Sequence, residues 1–172
     1  MKNLITMVIC SLSFVGLSAQ DEYYNQENKK LMQELSIMVG DWEGSGWAMN
    51  TKTRVKEEFT QTEEIRFDLD STIIKVRGVG KSDGSIIHDA IAFISPNTNG
   101  GFFMTSFLGD GRDGKYELKG SNGNYVWKIP TPQGTVIYTI TITENTWKEV
   151  GDFEMNGQLY PFFEMNLKRI KS

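Results

Sequence analysis

The chain has 172 residues, a formal net charge of −4 and an aromatic content of 12%. That acidic balance argues against nucleic acid and anionic membrane surfaces as partners, because both are recognised through basic patches. The single cysteine, Cys10, excludes an intrachain disulfide and a thiolate metal centre.

Met1 to Gln20 read as a secretory signal peptide. Lys2 precedes an apolar run from Leu4 to Leu17, and Leu17-Ser18-Ala19-Gln20 offers a small-residue cleavage site before Asp21. The run is shorter than the ~20 residues a membrane span needs. Gln20 stands where a lipoprotein signal would carry its cysteine, so no membrane anchor is expected. Cleavage near Ala19/Gln20 removes Cys10 and leaves roughly 150 residues, enough for one domain with a sizeable core. The expected location is secreted or periplasmic, and export without disulfides favours a bacterial setting.

Residues 21–39 are predicted to form an N-terminal helix. Tyr24, Glu27, Leu31, Leu35 and Met38 recur at three- and four-residue steps, and Gly40 ends the pattern. Such a helix serves either as a lid or, by preference, as a plug for one end of the following domain.

Residues 40–172 form the second expected unit. In Gly40-Asp41-Trp42-Glu43-Gly44-Ser45-Gly46-Trp47 the period becomes two, with Trp42, Gly44, Gly46 and Ala48 on one face. A bulky residue followed by small ones lets a strand curve as barrel closure requires. At the far end, Phe163, Met165, Leu167 and Arg169 alternate on one face. A guanidinium on an apolar face needs a partner, and an indole supplies one by cation–π attraction. Arg169 is therefore expected to stack on Trp42 and close the last strand against the first.

Between these ends, turn signals recur about every ten residues. Ser82-Asp83-Gly84, Asn97-Thr98-Asn99-Gly100, Gly109-Asp110-Gly111-Arg112-Asp113-Gly114, Ser121-Asn122-Gly123-Asn124 and Asn156-Gly157 are among them. Asp-Gly and Asn-Gly suit turns whose central residues need positive φ. The intervening segments are rich in β-branched and aromatic residues. The expected fold is all-β: an antiparallel up-and-down barrel of about ten strands, preceded by one helix. An open sandwich is the alternative.

Gly40-Asp41-Trp42 with Arg169 resembles the calycin superfamily of lipocalins and fatty-acid-binding proteins. Glu43-Gly44-Ser45-Gly46 is also similar to the opening of nitrobindin-type heme-binding barrels. The closing phrases Gly151-Asp152-Phe153-Glu154 and Phe162-Phe163-Glu164-Met165-Asn166-Leu167-Lys168-Arg169 resemble an uncharacterised bacterial lipocalin-like family. The resemblance implies a small apolar or amphipathic ligand inside the barrel. Nitrobindin-type barrels carry their heme-ligating histidine near the C-terminal strands, where this sequence has none. Heme is therefore not carried over, and no cofactor or metal is expected.

Alternation assembles an aromatic and methionine-rich interior, with solid and hollow fillings equally open. The candidate ligand-binding residues are Phe59, Phe103, Phe107, Trp127 and Tyr138, with Arg112 reaching a ligand's carboxylate at the rim. Arg66 reads as outward and Arg77 as ambiguous. His88, the only histidine, is a candidate base or ligand on a face with Ala90 and Ala92, or simply a strand-end residue. Glu63, Glu154 and Glu164 are possible members of a carboxylate pair. The expected function is non-catalytic binding of a small molecule. A barrel enzyme, an isomerase or a heme-dependent one, and a packed interaction module are the alternatives.

Overall fold

The computed structural model describes residues 23–170. The expected signal peptide and its cleavage site lie outside the described residues. A short α-helix, α1 (Gln26–Met32), is capped by the Asn25 side chain and runs into a 3-10 helix (Gln33–Met38). Ten strands follow: β1 (Gly40–Met49), β2 (Lys56–Asp68), β3 (Ile73–Ser82), β4 (Ser85–Pro96), β5 (Phe102–Leu108), β6 (Asp113–Ser121), β7 (Asn124–Thr131), β8 (Gly134–Ile142), β9 (Thr146–Met155) and β10 (Gln158–Arg169). Each pairs antiparallel with its sequence neighbours, and β10 returns to β1 to close the ring. Closure leaves no unpaired sheet edge. No described helix is long and apolar enough to cross a membrane.

The turns explain much of the path. Asp83-Gly84, Asn122-Gly123 and Asn156-Gly157 all have two consecutive positive φ values, as tight hairpins require. The β2–β3 connection does the same without glycine, at Leu69, Asp70 and Ser71. That turn carries no sequence signal of the usual kind.

The helical segment differs in detail from the expectation. The chain tightens to three residues per turn after Met32, so the buried face becomes Met32, Leu35 and Met38. Leu31, expected on that face, is exposed.

This segment covers one end of the barrel. Its backbone is tied there by side chains from the strands. The Trp42 indole donates to Met38 O at 2.9 Å, and the Tyr125 hydroxyl donates to Glu34 O. Arg169 donates to the carbonyls of Ile37, Val39 and Glu144, and its guanidinium lies 4.0 Å from the Trp42 ring centroid. Arg169 is also the register partner of Trp42 across the β1–β10 seam. Gly40 makes room for this bundle: a Cβ there would fall 2.2 Å from Arg169 Nη1.

Candidate functional site in the upper barrel

The interior divides into two levels. Around the covered end, Trp42, Ile65, Ile74, Leu118, Tyr125, Trp147 and Leu167 are buried against the helical segment. Trp42 and Trp147 meet edge to face, with ring centroids 5.7 Å apart. This floor is packed.

Toward the other end, inward-facing side chains keep accessible surface. Val76, Met104, Tyr116, Trp127, Tyr138 and Phe163 are all half-buried although the register points them into the barrel. Surrounded residues that still meet solvent line a space rather than a packed core. Their rings form a continuous wall. Trp127 stacks on Tyr138 at 4.2 Å and touches Tyr116, while Tyr138 meets Phe162 and Phe163 edge to face. Phe163 in turn stacks on Phe59. The register shift at Pro161/Phe163 brings Phe162 toward this wall beside Phe163.

Two carboxylates enter this space. Glu63 projects from β2 opposite Gly78, where a Cβ would lie 2.7 and 2.8 Å from its two oxygens. Glycine at that position leaves the carboxylate its room. Gln61 Nε2 donates to Glu63 Oε1 at 2.7 Å. Glu63 Oε2 is buried with no hydrogen-bond partner. Burial pushes the Glu63 carboxyl up to about 7, against the opposing pull of Gln61 and of the Arg77 guanidinium.

Glu149 projects from β9, paired with Ile140 on β8 and Met165 on β10. Trp127 Nε1 donates to Glu149 Oε1 at 3.2 Å. Trp147 Nε1 is buried near the same carboxylate, outside hydrogen-bonding geometry. Burial pushes Glu149 up to about 7 as well; the Trp127 bond opposes the shift and the nearby Glu63 charge adds to it. Both carboxyls therefore change charge near neutral pH. Tyr138 is held neutral, its pKa raised by burial and by the Glu149 charge.

Three of the expected binding residues, Phe59, Trp127 and Tyr138, face this interior. Phe103 and Phe107 do not. The β4–β5–β6 register turns Phe102, Met104, Ser106 and Leu108 inward. Phe103 therefore lies outside under the Lys115 ammonium, and Phe107 is exposed. On β5 both alternating faces carry aromatics, so periodicity alone did not choose between them. Arg112 stands in the β5–β6 turn at the open end, paired with Asp110 at 2.7 Å. Arg66 and Arg77 are outside, bound to Asp41 and Asp89. Glu154 and Glu164 lie on the outer face, and Glu164 accepts from Asn166. His88 faces inward at the mouth beside Gly80. Solvent still reaches it, yet the surrounding strand ends desolvate it and, with Arg112, hold its pKa below the ordinary histidine value.

Glu149 is the residue that sequence reading missed. The signal was present: Trp147, Glu149, Gly151 and Phe153 share one alternating face. A carboxylate between an indole and a glycine on an inward face is an unusual filling.

Among the described residues no group of His, Cys, Asp and Glu has the geometry to hold a metal ion. No family model matches the chain, and no curated protein matches it. Among solved structures it is similar to the crystal structure of Rv2717c from M. tuberculosis, with a TM-score of 0.62 and 13% identity. The match covers 82% of this chain and 98% of that one. The two share a barrel fold.

Proposed function

We propose that this protein is an exported, non-catalytic carrier that holds a small amphipathic molecule in the upper half of its barrel. The single observation behind this reading is the contrast in filling. A barrel built only for stability has no reason to leave Trp127, Tyr138, Tyr116 and Phe163 half-buried above a fully packed floor. Aromatic walls with a few convergent polar groups are the usual lining of a small-molecule pocket. Export rests on the sequence of Met1 to Gln20, and the calycin resemblance supports the carrier role.

The test is native mass spectrometry of the mature protein purified from its own host, followed by denaturing extraction. A co-purifying small molecule supports the carrier. A clean apo mass, together with no displaceable binding of an environment-sensitive lipid probe, overturns it.

A second reading draws on the Glu63–Glu149 pair. Two coupled carboxylates titrating near neutrality can accept and return a proton, as an isomerase requires. In that case Glu149→Gln abolishes turnover of a bound compound while leaving its binding intact. Unchanged composition of the bound compound after prolonged incubation excludes this alternative.

A further inference from the structure

We propose that the upper cavity selects a cationic head group, an alkylammonium or quaternary ammonium, placed between the Glu63 and Glu149 carboxylates and the Trp127–Tyr138 wall. This proposal deepens the carrier reading and rests on it.

Complementarity of charge is the first argument. Among the described residues, Arg169 is the one inward-facing cation, and it is committed to the floor by the Trp42 ring and three carbonyls. Every other described Lys and Arg lies on the outer face, in the helical segment or in a connecting turn. An anionic head would meet two carboxylates here; the one cation acting on the wall, Arg112 at the rim, is already paired with Asp110.

An unfilled acceptor is the second argument. Glu63 Oε2 is buried and unpartnered, a costly state for a carboxylate. An N–H donor or a positive charge drawn into the cavity relieves that cost. The third argument is the wall itself. Trp127 and Tyr138 stack into one broad π-face, bordered by Tyr116 and Phe163. Aromatic faces combined with carboxylates are the standard chemistry for ammonium recognition.

Between the two carboxylates in the ring lie β1 and β10. On β1 the register partner of Glu63 is Trp42, followed on the same face by Gly44 and Gly46, and on β10 the partner of Glu149 is Met165. The groups facing Glu63 are Gln61 on its own strand, Gly78 on β3 and Trp42 on β1, with Arg77 acting from the outer face of β3. Those facing Glu149 are Trp127 on β7, Tyr138 and Ile140 on β8, Met165 on β10 and Trp147 on its own strand. Only the two glutamates among these change charge near neutral pH. A bound cation favours the ionised form of both, so affinity for a permanently charged head rises with pH.

The experiment is titration calorimetry of the mature protein with three ten-carbon probes below their micelle concentrations: decyltrimethylammonium, decanol and decyl sulfate. The expected result at about pH 8.5 is at least about tenfold tighter binding of decyltrimethylammonium than of either other probe. Its affinity is expected to rise by about tenfold or more from about pH 5.5 to about pH 8.5. In the Glu63→Gln/Glu149→Gln variant, checked for folding by circular dichroism, both the preference and the pH dependence disappear. Should that variant fail to fold, Glu149→Gln alone carries the same comparison.

Binding of decanol or decyl sulfate as tight as that of the cation overturns the inference and leaves the carrier reading standing. Retention of the cation preference in the glutamine variants does the same. Failure of all three probes to bind overturns the carrier reading and the inference together.

Discussion

The two halves of this barrel interior are built from similar residues and do different things. Both contain tryptophan, tyrosine, methionine and an inward charged side chain. In the floor, the charge is Arg169, and every polar contact it needs is made by backbone carbonyls and the Trp42 face. In the upper half, the charges are Glu63 and Glu149, and one carboxylate oxygen is left without a partner. A buried charge whose partners are all in place costs the fold less than one left incomplete.

The comparison breaks most visibly at the floor. Trp42→Ala is expected to cost about 3–5 kcal/mol, because it leaves a large void under the helical segment. Arg169→Ala is expected to cost about 2–4 kcal/mol through the lost stack and unpaired carbonyls. Chemical denaturation measures both. Loss of stability within error for Arg169→Ala means that the seam closes without it.

The upper half behaves oppositely with pH. Burial pushes Glu63 and Glu149 up to about 7 in the folded protein, from about 4.5 for a solvated glutamate. The folded state thus binds protons more tightly than the unfolded chain. The stabilisation is fully present below the unfolded value and is lost as pH rises through about 7, with the loss complete above it. For one carboxylate the change amounts to about 3 kcal/mol. Melting curves from about pH 4.5 to about pH 8 should therefore show a falling midpoint. Glu149→Gln should flatten that fall and stabilise the protein at the alkaline end. A midpoint independent of pH is incompatible with the buried pair.

A gentler probe is Gly78→Ala. The new Cβ would stand within 2.8 Å of both Glu63 oxygens, so the carboxylate must move. The expected cost is about 1–3 kcal/mol, accompanied by altered ligand affinity. A floor substitution should change stability without that second effect. The smallest effect belongs to Arg112→Ala. Its partner Asp110 is a solvent-facing neighbour in the same turn, and such pairs contribute little. Its melting temperature should match that of the parent protein, and a clear loss would assign the β5–β6 turn a structural role.

How far these features could be read from the chain depends on how many physical signals converged on each. The strands declared themselves because alternation, β-branching and Asn-Gly or Asp-Gly turns coincided. Arg169 stood out because a cation shared a face with Met165 and Leu167. Phe103 and Phe107 were misplaced because β5 is aromatic on both faces, and a one-residue choice inverts every side chain. The β2–β3 turn gave no warning, since Asp70 and Ser71 adopt positive φ without glycine. Glu149 escaped because its meaning is not local. It becomes a site residue only when closure sets β9 and β2 on opposite sides of β1 and β10.

The seam that completes the ring also governs how the chain must fold. Arg169 reaches carbonyls up to 132 residues earlier in sequence. Contacts of that separation form slowly, because loop entropy is lost before they give any return. Hairpins along β2 to β9 can form as soon as their turns do, yet the helical segment has no finished surface to settle on until β10 arrives. Before that moment β1 and β10 are two open edges, able to pair with another copy. The last strand is thus a clasp: synthesis that stalls ahead of Arg169 leaves a nearly complete chain in its most association-prone state.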